Sequence, residues 1–177
     1  MQDTMPTLRG QRVLLRPFTA ADVTDTYVAW LNDPLVVRFS NQRFSNHDRE
    51  SCLRYLRSFA DTDNLFISID RLNDLRAIGT MTAYVARPHG TADVGILIGD
   101  TSVWGQGFGQ DAWDTLAQWL LGARGIRKLT AGALACNAPM IRLMEQSGMK
   151  REATRKEQEL LDGVPQDIVH YARFAGV

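Results

Sequence analysis

Cysteine is nearly absent: Cys52 and Cys136 are the only 2 in 177 residues. Their spacing fits no zinc or iron–sulfur pattern and offers no disulfide framework. Net charge is missing too, because 20 Lys and Arg balance 20 Asp and Glu. Without a basic excess the chain lacks the footprint of a nonspecific nucleic-acid or membrane-surface binder. No apolar run approaches the length of a bilayer-crossing helix, and the first residues carry no signal-peptide core. These absences lead to the expectation of a cytoplasmic protein without metal, nucleic acid or membrane among its partners. What remains is ordinary for a globular chain, with 45% hydrophobic and 23% charged residues. The length suits one domain over residues 1–177 with a sizeable core.

Within that ordinary background one run is unusual: Trp104-Gly105-Gln106-Gly107-Phe108-Gly109-Gln110-Asp111-Ala112-Trp113. Alternate glycines leave backbone that a ligand can approach, and Ala112, Leu116 and Leu120 then open a helical face. Upstream, Val94-Gly95-Ile96-Leu97-Ile98 reads as a buried strand. Strand, glycine loop and helix start aim free N–H groups and the positive end of a helix dipole at one place, which suits a phosphate. A tight turn with no ligand uses the same residues. No Gly-Lys-Ser/Thr follows, so this is not a P-loop. Gly107 to Ala112 fits G-x-G-x-x-A, yet too little chain follows to build a doubly wound sheet around it.

The rest of the chain gives a coarse order of elements. Residues 1–11 read as a loose start, and residues 12–16 as a strand. A helix runs from Thr19 to about Leu31, stopped by Asn32-Asp33-Pro34, and a second from Ser45 or Asn46 to about Phe59. Period two then takes over, with strands at 65–69, 77–85 and 93–98. The glycine loop and a helix to Leu121 follow, then a strand at 128–134. A short helix opens at Asn137 and ends at Gln146, with Gly148 as its C-cap. Residues 150–161 have the composition of a helix. Asp162-Gly163 and the strand-like stretch at 168–172 nevertheless favour a two-stranded hairpin.

This order, together with two motifs, resembles the GCN5-related N-acetyltransferase (GNAT) superfamily. The family's acetyl-CoA motif Q/R-x-x-G-x-G/A appears as Trp104 to Gly109, with Trp104 departing from the usual first residue. Asn137-Ala138-Pro139-Met140-Ile141-Arg142-Leu143-Met144-Glu145-Gln146-Ser147-Gly148-Met149 is similar to the family's N-x-x-A/S-x-x-L-Y-E-K-x-G-F. Asn32-Asp33-Pro34 and the stretch from Asp162-Gly163 to Tyr171 look like the branch that acetylates ribosomal-protein N-termini and sugar amines. The likeness spans about residue 10 to 174. It implies an α+β fold whose mostly antiparallel sheet contains one splayed parallel pair, with helices on both faces. It also implies that the pantetheine of acetyl-CoA lies beside Ile96, Leu97 and Ile98. The pyrophosphate would then rest on the N–H groups of Gln106, Gly107, Phe108, Gly109 and Gln110. Asn137 would face the pantetheine arm, or act only as an N-cap.

Acetyl transfer to an amine needs a neutral nucleophile, a donor for the developing oxyanion, and a proton for the leaving thiolate. A backbone N–H near Leu97 or Ile98 is the expected donor. Asp93 stands where family members often carry Glu and is the candidate base, with a solvated strand-edge carboxylate as the plainer reading. His89 reads as a surface histidine. The family's tyrosine is Met144 here, which cannot give up a proton; Ser147, Cys136 and Tyr171 are substitutes, with Ser147 in the lead. Arg38 and Arg43 are candidates to grip an anionic group of the acceptor. That choice favours an amino sugar nucleotide or peptide N-terminus over a polyamine. A non-catalytic acyl-CoA binder and a nicotinamide-dependent oxidoreductase are the competing readings. The closing hairpin is a candidate surface for a homodimer.

Overall fold

A computed structural model describes residues 5–176. Its centre is an eight-stranded sheet in the order β1-β2-β3-β4-β5-β6-β8-β7. The strands are β1 Leu8–Arg9, β2 Val13–Pro17, β3 Leu65–Arg71, β4 Ala77–Ala86, β5 Thr91–Ile98, β6 Lys128–Leu134, β7 Lys150–Leu161 and β8 Val164–Phe174. Every neighbouring pair is antiparallel except β5 with β6. Helices α1 Asp25–Asn32 and α2 Arg49–Arg57 precede β3, α3 Phe108–Leu121 joins β5 to β6, and α4 Ala138–Gln146 joins β6 to β7.

Strand alternation sorts the side chains onto two faces. On one, Ala92, Val94, Leu129, Ala131, Val169 and Tyr171 meet Trp113, Leu116 and Leu120 of α3 and Met144 of α4. On the other, Phe66 and Leu97 meet Tyr27 and Leu31 of α1 and Cys52 of α2. Helices therefore cover both faces, and the fold is the mixed α+β arrangement that the motifs imply. The buried Trp113, Leu116 and Leu120 anchor α3 at 2%, 0% and 0% exposure, each contributing about 1.5–3 kcal/mol of apolar burial.

Three boundaries differ from the sequence reading, each for a local reason. The helix expected from Thr19 is broken: a 3-10 turn at Ala20–Asp22 comes first, and α1 starts only after Thr24. Thr24 Oγ1 accepts the Tyr27 N–H at 3.2 Å, while Arg16 holds Asp22 at 2.8 Å and pins the turn. The second helix begins later because its cap is Asp48, whose Oδ1 accepts the Ser51 N–H at 2.7 Å. The start expected to be loose contains β1, paired to β2 through Leu8–Leu15 and Arg9–Leu14; a two-residue strand is too short for alternation to reveal. Residues 1–4 of that stretch lie outside the described residues.

The helix-or-hairpin conflict at the end resolves as strand. Asp162 and Gly163 adopt φ of 51° and 77° at the turn, the pair of positive values that a tight hairpin demands. The charged residues of β7 lie on an edge strand of the sheet, where charge discourages uncontrolled edge-to-edge aggregation.

Candidate active site

β5 and β6 share the pairs Thr91–Lys128, Ala92–Leu129 and Asp93–Thr130, and then part. β5 stays on β4 out to Ile98–Gly79, and β6 stays on β8 out to Leu134–Ile168. Alternation decides which backbone groups face the opening. The Gly99 N–H donates to Ile78 O at 2.9 Å and the Lys128 N–H donates to Gly90 O at 3.3 Å. Odd-numbered residues of β5 therefore bond to β4, and even-numbered ones face β6. Ile96 and Ile98 present their N–H groups to the cleft. Leu97 does not: its backbone belongs to the β4 ladder, and its side chain packs on the α1–α2 face. This corrects the expectation that all three residues present backbone to a ligand. The Ala135 N–H donates to Asp167 O at 2.8 Å, so odd residues of β6 bond to β8, while Gly132 and Leu134 face the cleft. Amides left unpaired along two diverging strands fit an extended chain that carries amides of its own.

The Ile98 carbonyl is already occupied, because the Trp104 indole Nε1 donates to it at 3.0 Å. Beyond Trp104 the loop turns into α3 through Gly107, the N-cap, at φ +84° with no side-chain cap; only glycine adopts that φ without penalty. The N–H groups of Gly107, Phe108, Gly109 and Gln110 find no acceptor among the described residues, and the Asp111 N–H is the first to bond back, to Gly107 O at 3.0 Å. Gln106 is a correction, since its N–H is spent on Val103 O at 3.3 Å. A Cβ on Gly109 would meet Ile98 at 3.6 Å and Leu143 at 3.7 Å, ordinary contacts. Protein packing does not require glycine there. The bare helix start is an anion cradle.

Two residues of this cradle escaped the sequence reading. The Asp111 carboxylate accepts the N–H groups of Gln11, Arg12 and Val13 at 3.0, 2.7 and 3.0 Å. It fastens the β1–β2 turn to the first turn of α3. That places Arg12 Nε 4.0 Å from where a Cβ of Gly107 would sit, and Arg12 makes no ion pair among the described residues. An acid in a first helical turn reads from sequence only as a dipole partner. Nothing local announces that its partners lie about a hundred positions upstream.

Asp93 occupies the last closed rung and is exposed on the α1–α2 face; its Oδ2 accepts the Thr130 hydroxyl at 2.6 Å. Its β4 partner Tyr84 shares a 2.8 Å hydroxyl contact with Tyr55. Asn137 is the N-cap of α4, its Oδ1 accepting the Met140 N–H at 3.2 Å; its amide nitrogen stays without a partner among the described residues. Met144 is fully buried among core residues on the α3 side. Ser147 lies on that same side at 5% exposure, with Gln110 Nε2 donating to its Oγ at 2.6 Å. Its hydroxyl clamps α4 to α3 and lies on the face opposite Asp93. Of the other substitutes, Cys136 is exposed, and the Tyr171 hydroxyl donates to Glu145 Oε1 at 2.9 Å.

A cavity of about 880 Å³ opens between residues 31–46 and the β7–β8 turn, lined by Arg38, Arg43, Asn32, Phe44, Leu160 and Asp162 among others. The two arginines differ. Arg43 donates to Ser40 O at 2.8 Å and Leu160 O at 3.0 Å and stacks on Phe44 at 4.3 Å. It braces the loop against the hairpin and is not the free grip expected of it. Among the described residues Arg38 has only the Phe39 ring, 5.4 Å away. Among the described residues no cluster of His, Cys, Asp and Glu could hold a metal, and no helix is long and apolar enough to cross a membrane.

Comparison with known proteins agrees with this geometry. A model of the acetyltransferase (GNAT) domain matches residues 12–150. The uncharacterized N-acetyltransferase YoaA of Bacillus subtilis is 22% identical over 172 residues, covering 94% of this chain and 96% of that protein. The uncharacterized protein MJ1062 of Methanocaldococcus jannaschii is 24% identical over 148 residues, 84% of this chain; the chain spans only 30% of that protein's length. Among solved structures, the ribosomal L7/L12 alpha-N-protein acetyltransferase RimL in complex with coenzyme A superposes at TM-score 0.81 with 15% identity, covering 96% and 98% of the two chains. Spermidine N-acetyltransferase from Vibrio cholerae, in complex with CoA and spermine, gives 0.82 with 15% identity and 93% and 96% coverage.

Proposed function

Because the chain belongs to the GNAT acetyltransferase family, we propose that it moves an acetyl group from acetyl-CoA to a primary amine by direct attack in a ternary complex. The observation that carries this reading is the conjunction of unpaired rungs at Ile96, Ile98, Gly132 and Leu134 with the uncapped start of α3. The CoA complexes of RimL and of the spermidine enzyme support it. The N–H groups of Gly107, Phe108, Gly109 and Gln110 would hold the pyrophosphate, with Arg12 adding charge. Ile96 and Ile98 would pair with the pantetheine amides, and Asn137 would face them from the other wall. An N–H of the same pair would stabilise the developing oxyanion, because a donor fixed in place needs no reorganisation as charge appears. Positioning of this kind alone supplies a large share of the rate.

On the acceptor side, Arg38 is the cation available for a phosphate or carboxylate, and Arg43 shapes the wall. Among the described residues Asp162 is the one carboxylate in that lining, which supports an amine bearing an anion, such as an amino sugar nucleotide or a peptide N-terminus, over a polyamine. We place the reaction in a single cytoplasmic domain over residues 1–177. A homodimer through the β7–β8 hairpin is part of the proposal, and sedimentation at two concentrations tests it. The main experiment is calorimetric titration with CoA, followed by a mass-shift screen of nucleotide-linked amino sugars, N-terminal peptides and polyamines. Acetylation of an anionic amine is the expected result. CoA binding with no amine acetylated would favour the alternative, a non-catalytic acyl-CoA-binding protein. No CoA binding would end both.

A further inference from the structure

Among the described residues Phe44 is the most exposed of the large apolar side chains, at 70%. An apolar ring turned to water contributes little to the fold. This one is nevertheless held. The Arg43 guanidinium carbon sits 4.3 Å from the ring centroid, within the range of a cation–π contact. That guanidinium donates to Ser40 O at 2.8 Å and to Leu160 O at 3.0 Å, so the plane behind the ring is fixed from both the loop and the hairpin. With one face backed and most of the residue exposed, the ring offers its other face to the cavity that it lines.

The rest of that cavity says what the face receives. Its volume of about 880 Å³ falls in the range of clefts that enclose a whole small-molecule ligand. Arg38 lines it too, and among the described residues has only the Phe39 ring as a partner. Its fork of N–H donors is left for an anion. Asp162 adds a carboxylate, which only accepts and so suits hydroxyl or N–H groups. A flat ring, an anion and several donors in one ligand describe a nucleotide. An N-terminal peptide supplies rings and donors, but the chain next to its amine is neutral backbone and leaves Arg38 unanswered. A polyamine supplies neither ring nor anion.

The cavity also lies on the side from which an acceptor must come. β8 runs antiparallel to β6, so the turn before Val164 lies beyond Leu134–Ile168, at the end where β5 and β6 have parted. Leu31 lines the cavity and shares the α1–α2 cluster with Leu97 of β5. The cavity therefore opens beside the unpaired rungs at Ile96 and Ile98.

We propose that Phe44 is the platform on which the base of a nucleotide-linked amino sugar stacks, with Arg38 on its phosphate. The inference rests on the acetyltransferase reading above and chooses between the two acceptors that it leaves open. Stacking of this kind accepts any base, because each has a π face. Base and phosphate stay in the cavity, and the sugar with its amine is left for the cleft.

Calorimetry on the full chain saturated with CoA tests this, because the cradle of α3 is then filled and takes no second diphosphate. The titrants are uridine diphosphate and guanosine diphosphate, one for each size of base. At least one should bind, about tenfold or more tighter than inorganic pyrophosphate. Phe44→Ala and Phe44→Leu should both weaken that binding about fivefold or more, whereas Phe44→Trp, which keeps a ring, should stay within about twofold of wild type or bind more tightly. Neither nucleotide binding to a chain that binds CoA would overturn the proposal and leave the acetyltransferase reading standing. So would pyrophosphate binding as tightly as the nucleotides, a Phe44→Leu protein that binds like wild type, or acetylation of peptides in place of nucleotide-linked amino sugars. A chain that binds no CoA would sink the acetyltransferase reading itself, and this inference with it.

Discussion

Two stretches of one sheet face handle polar groups in opposite ways. Across β2 and β3 every strong group is answered. Arg16 Nε donates to Asp70 Oδ2 at 2.6 Å and its Nη atoms to Asp22 at 2.8 Å, while the Ser68 hydroxyl donates to Asp70 Oδ1 at 2.7 Å. Across β5 and β6, where Asp93 and Thr130 close the last rung, the amides at Ile96, Ile98 and Gly132 beyond it are left waiting. The first stretch spends its polar groups on holding the fold, and the second keeps them for a ligand. A polar group's worth lies in what completes it, and here the completing partner is protein on one side and substrate on the other.

The largest test breaks the closed stretch. Asp70 is 2% exposed, so Arg16→Met would strand a buried carboxylate and should remove about 3 kcal/mol of stability in urea unfolding. Gly109→Ala in the open stretch should change stability by less than about 0.5 kcal/mol, yet weaken CoA binding by calorimetry, because the added methyl occupies ligand space. A small loss from Arg16→Met would erase the contrast.

The next test fills the open stretch. At a CoA concentration about 100-fold above Kd, binding adds about 2.7 kcal/mol. Hydrogen exchange at Ile96 and Ile98 should then slow strongly, while Leu97, already bonded to β4, changes little. Equal protection gained at all three residues would contradict the alternation derived from Gly99 and Gly90.

How much of this was legible beforehand follows the range of the interactions. The glycine loop, the strand before it and the hairpin at Asp162-Gly163 are local patterns, and they fixed the fold and the cradle. The splay was visible only through the family resemblance. Asp111 and Arg12 were not legible, because their partnership joins residues far apart in sequence. Chain proximity to Met144 likewise does not reveal that the Ser147 hydroxyl is held by Gln110 of α3.

A smaller effect is expected at the cradle's edge. Arg12→Ala should weaken CoA binding about tenfold, near 1.4 kcal/mol, without altering the melting temperature of the free protein. The loss should shrink as salt rises, since an exposed cation is screened over about 8–10 Å at physiological ionic strength. An Arg12→Ala protein that binds CoA like wild type would restrict the cradle to backbone.

The smallest effect returns to the closed stretch and concerns acid. Burial alone would raise the Asp22 pKa, but the Arg16 guanidinium and the N–H and hydroxyl of Thr19 overcome that and hold it below the ordinary value. A carboxyl whose pKa is lower folded than unfolded contributes stability in full above the unfolded value, about 3.9. The contribution fades as pH falls through the folded value. Asp22→Asn should therefore cost no more than about 1 kcal/mol, or roughly 2–4 °C, at neutral pH. The gap to wild type should narrow below about pH 4, read as melting temperature against pH. Gly109→Ala should leave that acid limb where it is, because a methyl at the start of α3 meets only Ile98 and Leu143 and no ion pair of the closed stretch. A limb that moved with Gly109→Ala and not with Asp22→Asn would place the acid-sensitive network at the cleft and reverse the assignment of the two stretches.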